Sequence, residues 1–144
     1  MHCENCWISR KSKHICVDDV VRNDTQKGNA VKEWKDRIWN YNEEIEAENA
    51  AAGVCRKVLA FTEELMCVEN HFEEGAIGAL HHHPHTQITY VVSGQFEFEI
   101  DGVKKIVNPG DTMLKKNSVE HGCTCLKKGI LLDIFAPMRE DFLN

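Results

Sequence analysis

Phe96-Glu97-Phe98-Glu99-Ile100-Asp101-Gly102-Val103-Lys104-Lys105-Ile106-Val107 is the stretch that decides the fold. Phe96, Phe98 and Ile100 alternate with Glu97 and Glu99, the period-two pattern of a half-buried strand. Asp101-Gly102 then marks a tight turn, and Val103–Val107 reads as the returning strand, closed by Asn108-Pro109-Gly110. Outward from this hairpin the same rhythm continues. Val54–Phe61, Leu65–Phe72 and Ile88–Val92 read as strands before it; Thr112–Leu114, His121–Leu126 and Ile130–Phe135 follow it. Short apolar runs at even spacing with almost no helix predict an all-β barrel or jelly roll.

Upstream the pattern changes. Residues 1–28 are polar and read as an irregular extension. Within 31–49, the spacing of Val31, Trp34 and Ile38 permits one short amphipathic helix, and the Trp residues can equally cap the open end of a barrel. The expected organisation is an N-terminal extension over 1–50 and a single barrel domain over 51–144, with no internal repeat.

Composition is ordinary for a globular chain: 144 residues, 42% apolar, 28% charged. A net charge of −6 argues against nucleic acid as a partner, because such proteins present a basic face. No apolar run suits a membrane span or a secretory signal, so the expected compartment is the cytoplasm. Seven cysteines, an odd number, do not read as a disulfide framework. Cys3 and Cys6 form a CxxC pair near Cys16, His2 and His14. Without a second CxxC, a loose reduced tail is the better reading than a zinc or redox site.

The densest chemical signal is His81-His82-His83-Pro84-His85, which holds four of the eight histidines. In an extended segment His81 and His83 share one face and His82 takes the other. Two imidazoles on one face begin a metal site; a solvated polar loop is the alternative. His85 reads as solvated or as a supporting group rather than a ligand. Farther along, Asp133 interrupts the apolar run 129–135. Alternation puts it on one face with Leu131 and Phe135, either toward the interior or on an exposed edge. Arg139, after Pro137, suits bidentate binding of a carboxylate, although an ion pair with Glu140 or Asp141 is the plainer reading.

Gly75, His81, His83, Gln87 and Gly94 reproduce the spacing G-x5-H-x-H-x3-E-x6-G, which resembles the first cupin motif, with Gln87 in place of Glu. Gly110, Lys116, Ser118 and His121 match the spacing of the second, G-x5-P-x-G-x2-H-x3-N, with its Pro, second Gly and Asn replaced. The resemblance implies a cupin jelly roll holding one divalent ion by His81, His83, Gln87 and His121. Three neutral imidazoles and an amide oxygen leave the ion its full charge as a Lewis acid. They also lack the carboxylate of the triad common in oxygen-activating iron enzymes. Zinc, nickel, iron and manganese all remain open as the ion, and imidazole suits copper too.

A narrower resemblance covers most of residues 53–142. His81–Gln87 and Asp133–Phe142, with Gly53–Lys57, are similar to the pectin-degradation cupins of the KdgF type. That resemblance implies a metal-dependent enzyme opening 4,5-unsaturated uronates to 5-keto-4-deoxyuronate. It implies active-site roles for Asp133, Phe135 and Arg139 and a small sugar acid as substrate; the cupin resemblance also implies a homodimer. Another metal-dependent cupin activity (a sugar isomerase or a dioxygenase) and a non-catalytic binding cupin are the competing readings.

Overall fold

The structure is a computed structural model that describes residues 33–144. The Cys3/Cys6 pair, Cys16 and most of the N-terminal extension lie outside the described residues. Eight strands follow in order: β1 Glu48–Ala51, β2 Val54–Phe61, β3 Met66–Phe72, β4 Ile77–His81, β5 Thr86–Ile100, β6 Val103–Val107, β7 Thr112–Lys115 and β8 His121–Ala136. All pairings are antiparallel, in the order β1-β2-β3-β8-β5-β6, with β4 added to β8 and β7 to β5. The arrangement is a jelly roll whose strand pairing does not close into a complete barrel. Among the described residues no helix is long and apolar enough to cross a membrane.

The opening hairpin forms as its sequence dictates. Asp101 and Gly102 have φ of +50° and +74°, as a two-residue turn matched to strand twist requires. Phe96 and Phe98 are buried beneath it. Two strands expected separately, Ile88–Val92 and Phe96–Ile100, are one strand, β5, and likewise His121–Leu126 and Ile130–Phe135 merge into β8. The two long strands pair with each other along most of their length. Gln87, Thr89 and Val91 point inward on odd positions, then Phe96 and Phe98 on even ones. Irregular register between Val91 and Phe96 absorbs the change of phase. Such bulges let a ribbon bend from one layer to the other while keeping one face inward.

Gly94 and Gly129 meet at this bend. A Cβ on Gly94, whose φ is +81°, would fall 2.5 Å from the Lys127 carbonyl oxygen, and one on Gly129 would fall 2.1 Å from that of Ser93. The glycine ending the first motif is thus required by backbone contact.

The helix expected within 31–49 is absent from its described part. Residues 33–36 form a turn, Asn42–Glu44 a single 3-10 turn, and Glu48–Ala51 a strand. Asp36 has φ +60° and its N–H donates to the Phe61 carbonyl at 3.0 Å, which a helix forbids. Trp34 packs against the buried cluster of Phe61, Met66, Val68, Phe135 and Leu143, whereas Ile38 and Trp39 are 84% and 72% exposed. No apolar stripe therefore exists to stabilise a helix. A second cluster, centred on Phe72, Val91, Phe96, Phe98 and Leu131, fills the other part of the core. Cys67, Cys123 and Cys125 are free thiols.

Candidate metal centre and cavity

His81 ends β4, His121 begins β8 directly opposite it in register, and His83 lies in the link to β5. Their ring centroids are 4.4 Å (His81–His121), 5.0 Å (His83–His121) and 5.5 Å (His81–His83) apart. One ring nitrogen from each can be chosen so that all three lie within 4.8 Å of one another. His82 is exposed.

Backbone carbonyls fix which nitrogen is available. Nδ1 of His81 donates to Ala79 O at 2.7 Å, that of His83 to His85 O at 3.1 Å, and that of His121 to Val119 O at 2.9 Å. With Nδ1 carrying the proton, each Nε2 keeps its lone pair, the usual supporting arrangement around metal-binding histidines. Burial pushes the His121 pKa down to about 4, so its ring is neutral near pH 7. Burial also lowers that of His83, with Arg139 adding to the effect.

Two contacts test whether a cation fits. His121 Nε2 is buried without a hydrogen-bond partner. His83 Nε2 faces the Gln87 amide oxygen at 3.0 Å, lone pair against lone pair. The amide cannot turn over, because its NH2 donates to Asp133 Oδ1 at 2.7 Å and to Thr89 Oγ1 at 3.2 Å. A divalent ion between these acceptors satisfies both features, and donors of this type bind such ions at about 2.0–2.2 Å. His81, His83, Gln87 and His121 are therefore the residues that would hold it.

Asp133 is buried on β8, between β3 and β5, and not on an exposed edge. Leu131 and Phe135 share its inward face. Oδ2 accepts from Asn70 at 2.7 Å; Oδ1 accepts from Gln87 and, in a short bond, from the Thr89 hydroxyl. Thr89 Oγ1 in turn accepts from Lys115, which is 1% exposed and lies 5.0 Å from the Phe98 ring. Burial pushes the Lys115 pKa down while Asp133 opposes the shift.

His81, Gln87, His121, Asn70, Asp133 and Lys115 line one cavity of about 270 Å³, together with Arg56, Phe135, Arg139 and Phe142. Arg139 both faces the cavity and makes the local ion pair, its Nε and Nη2 donating to Asp141 at 2.8 and 2.7 Å. His85 holds His83 through its backbone oxygen, and its ring centroid lies 5.4 Å from that of His83. Sequence reasoning missed Arg56, Asn70, Thr89 and Lys115. For Thr89 the available signal was a polar residue on the inward phase of its strand, between Gln87 and Val91.

Comparison with known proteins accords with this geometry. The Cupin_2 family (Cupin domain) matches residues 68–135. The "Pectin degradation protein KdgF" of Dickeya dadantii is 40% identical over 109 residues, 74% of this chain and 99% of that protein. The chain belongs to the cupins of the KdgF type. Among solved structures, this cupin is similar to an RmlC-like cupin from Shewanella frigidimarina, at 42% identity and a TM-score of 0.71, covering 72% of this chain and 94% of that one. It is also similar to KdgF from Halomonas sp., at 36% identity and a TM-score of 0.70, covering 73% and 97%.

The replaced glycine of the second motif has a visible consequence. Ser118 has φ +64°, and its N–H donates to the His83 carbonyl at 2.7 Å. Serine in that region is strained by roughly 1–2 kcal/mol, which glycine relieves at an entropic cost of about 0.5–1 kcal/mol. Ser118→Gly is expected to leave metal content unchanged and to stabilise the cupin by up to about 1 kcal/mol, read from denaturant unfolding.

Proposed function

We propose that the chain is a metal-dependent enzyme that opens the ring of 4,5-unsaturated uronates, released in pectin or alginate breakdown, to linear 5-keto-4-deoxyuronate. The observation that carries this reading is the Gln87 amide, whose oxygen meets His83 Nε2 at 3.0 Å while its nitrogen holds Asp133 at 2.7 Å. A potential proton carrier thus stands one side chain from the cation position. The likeness to proteins bearing the KdgF name supports the substrate class.

A divalent ion bound by His81, His83, Gln87 and His121 supplies Lewis acidity toward sugar oxygens. Asp133 accepts the proton of the anomeric hydroxyl as the bond from C1 to the ring oxygen breaks. C1 becomes an aldehyde and the former ring oxygen leaves as an enolate oxygen on C5. Asp133 returns the same proton to C4 to give the C5 ketone, so Asp133 ends as a carboxylate and atoms balance with no co-reactant. Arg139 holds the uronate carboxylate. Phe135, whose ring centroid lies 5.7 Å from that of His83, packs on the sugar and fixes its place. The homodimer, the cytoplasmic setting and the domain division at residue 50 belong to the same proposal.

The test is incubation of purified, metal-assayed protein with unsaturated galacturonate and with its alginate counterpart. Loss of the ultraviolet absorbance of the conjugated double bond, with no oxygen consumed, is expected. Persistent absorbance with fully loaded protein would overturn the reading.

A further inference from the structure

We propose that Arg56 is a second carboxylate-binding residue, so that the acid group of the sugar lies between Arg56 and Arg139. The inference rests on the uronate reading of the same cavity and adds a specificity-determining group to it.

Arg56 stands on β2, in register with Asn70, which donates to Asp133. It lines the cavity with Arg139 and Phe142. Its guanidinium carbon lies 3.7 Å from the centroid of the Phe142 ring, and that of Arg139 lies 4.3 Å from the same centroid. Two cations therefore share one aromatic ring at one wall of the cavity. Such convergence of like charge is unfavourable unless an anion lies close to both.

The donors of the two differ in how they are engaged. Asp141 holds both Nε and Nη2 of Arg139, the edge a guanidinium uses for bidentate binding. Among the described residues Arg56 makes one longer ion pair, Nη1 to Glu48 at 3.5 Å, and its buried Nε has no hydrogen-bond partner. A buried N–H without an acceptor is uncommon in native proteins and points to a partner. A carboxylate suits this wall in charge and in donor chemistry: its two oxygens can accept from N–H groups of Arg56 and from a remaining N–H of Arg139. The stacking on Phe142 holds the guanidinium plane in place before the ligand arrives.

The experiment uses the full chain supplied with divalent ion, as wild type, Arg56→Met and Arg56→Lys. Calorimetry measures binding of saturated D-galacturonate and of its neutral methyl ester, and absorbance measures turnover of unsaturated galacturonate. Arg56→Met is expected to weaken galacturonate binding and raise KM by roughly 10- to 100-fold, the effect of losing a hydrogen bond to a charged group. Its kcat should stay within a few-fold, and ester binding should not change. Arg56→Lys, which keeps the stem and charge, should fall between. It also carries the test should the Met variant not fold.

Wild-type galacturonate affinity in both variants overturns the proposal, as does equal loss of acid and ester binding, which marks a purely structural role. Wild-type protein that binds neither ligand overturns it too. Wild type that binds galacturonate but leaves the unsaturated sugar intact refutes ring opening, while the binding comparison still decides Arg56.

Discussion

Asp133→Ala is expected to lower turnover of the unsaturated uronate by roughly 10²- to 10⁴-fold, the usual contribution of a positioned acid–base group, with metal content unchanged. The separation of the two readouts follows from the geometry. Asp133 touches the ligand set only through the Gln87 NH2, on the side of the amide away from His83. Removing the carboxylate leaves all three Nδ1–carbonyl bonds in place, and the Thr89 hydroxyl oxygen still accepts from the Gln87 NH2 at 3.2 Å, so the amide keeps one of the two bonds that orient it. Asp133→Asn makes the stricter comparison. Asn70, Gln87 and Thr89 all donate toward Asp133. An amide at 133 therefore turns one NH2 against a donor besides losing the proton-accepting oxygen. Both variants should be inactive by absorbance, and mass spectrometry of the native protein should find the wild-type metal load. A wild-type rate in either variant would remove Asp133 from the mechanism.

The same network explains why position 87 carries an amide. A carboxylate there, as in the common cupin motif, would place an oxygen where the Gln87 nitrogen now lies 2.7 Å from Asp133. Two carboxylates at that distance cannot both ionise. Glutamine serves both neighbours, offering oxygen to the cation position and N–H to Asp133. The departure from the motif at Gln87 and the unusual acid at Asp133 are thus one feature in two parts of the chain.

How much of this was legible depended on how local each signal was. The β5–β6 hairpin was readable because its turn type and its alternation lie within a dozen consecutive residues. His81 and His83 were readable because a spacing of two places them on one face without knowledge of the rest. The continuity of β5 was not readable: Ser93-Gly94 carries a turn signature, yet here it forms a bulge within one strand. β4 was missed because four of its five residues are exposed, so no half-buried alternation marks it. Lys115 is hidden for another reason. Met113 and Lys115 point inward while Leu114 is exposed, and with apolar residues on both phases the strand does not declare which face is interior. Thr89 meets Asp133 only because β5 and β8 align them, across 44 residues of sequence. Pairings of that separation depend on the whole topology, which no local window contains.

His121→Ala is expected to abolish stable metal binding, and the loss should be visible without any substrate. Modifying groups that merely support a metal ligand costs roughly 10- to 100-fold in affinity, so deleting a ligand should exceed that. Binding to the native state alone stabilises by about 2.7 kcal/mol when free ion is at 100 times its Kd. Wild-type protein with ion supplied should therefore unfold at higher denaturant than chelator-treated protein by about that free energy, whereas His121→Ala should give the same curve with or without chelator. The variant should still fold. His121 Nε2 has no partner to lose, and the Nδ1 bond to Val119 is local, so what disappears is mainly ring packing against His81 and His83. A His121→Ala protein that kept a chelator-sensitive unfolding curve would mean that the ion binds without His121. The buried, unpartnered Nε2 would then need a different explanation, and the proposed chemistry would lose its Lewis acid at this position.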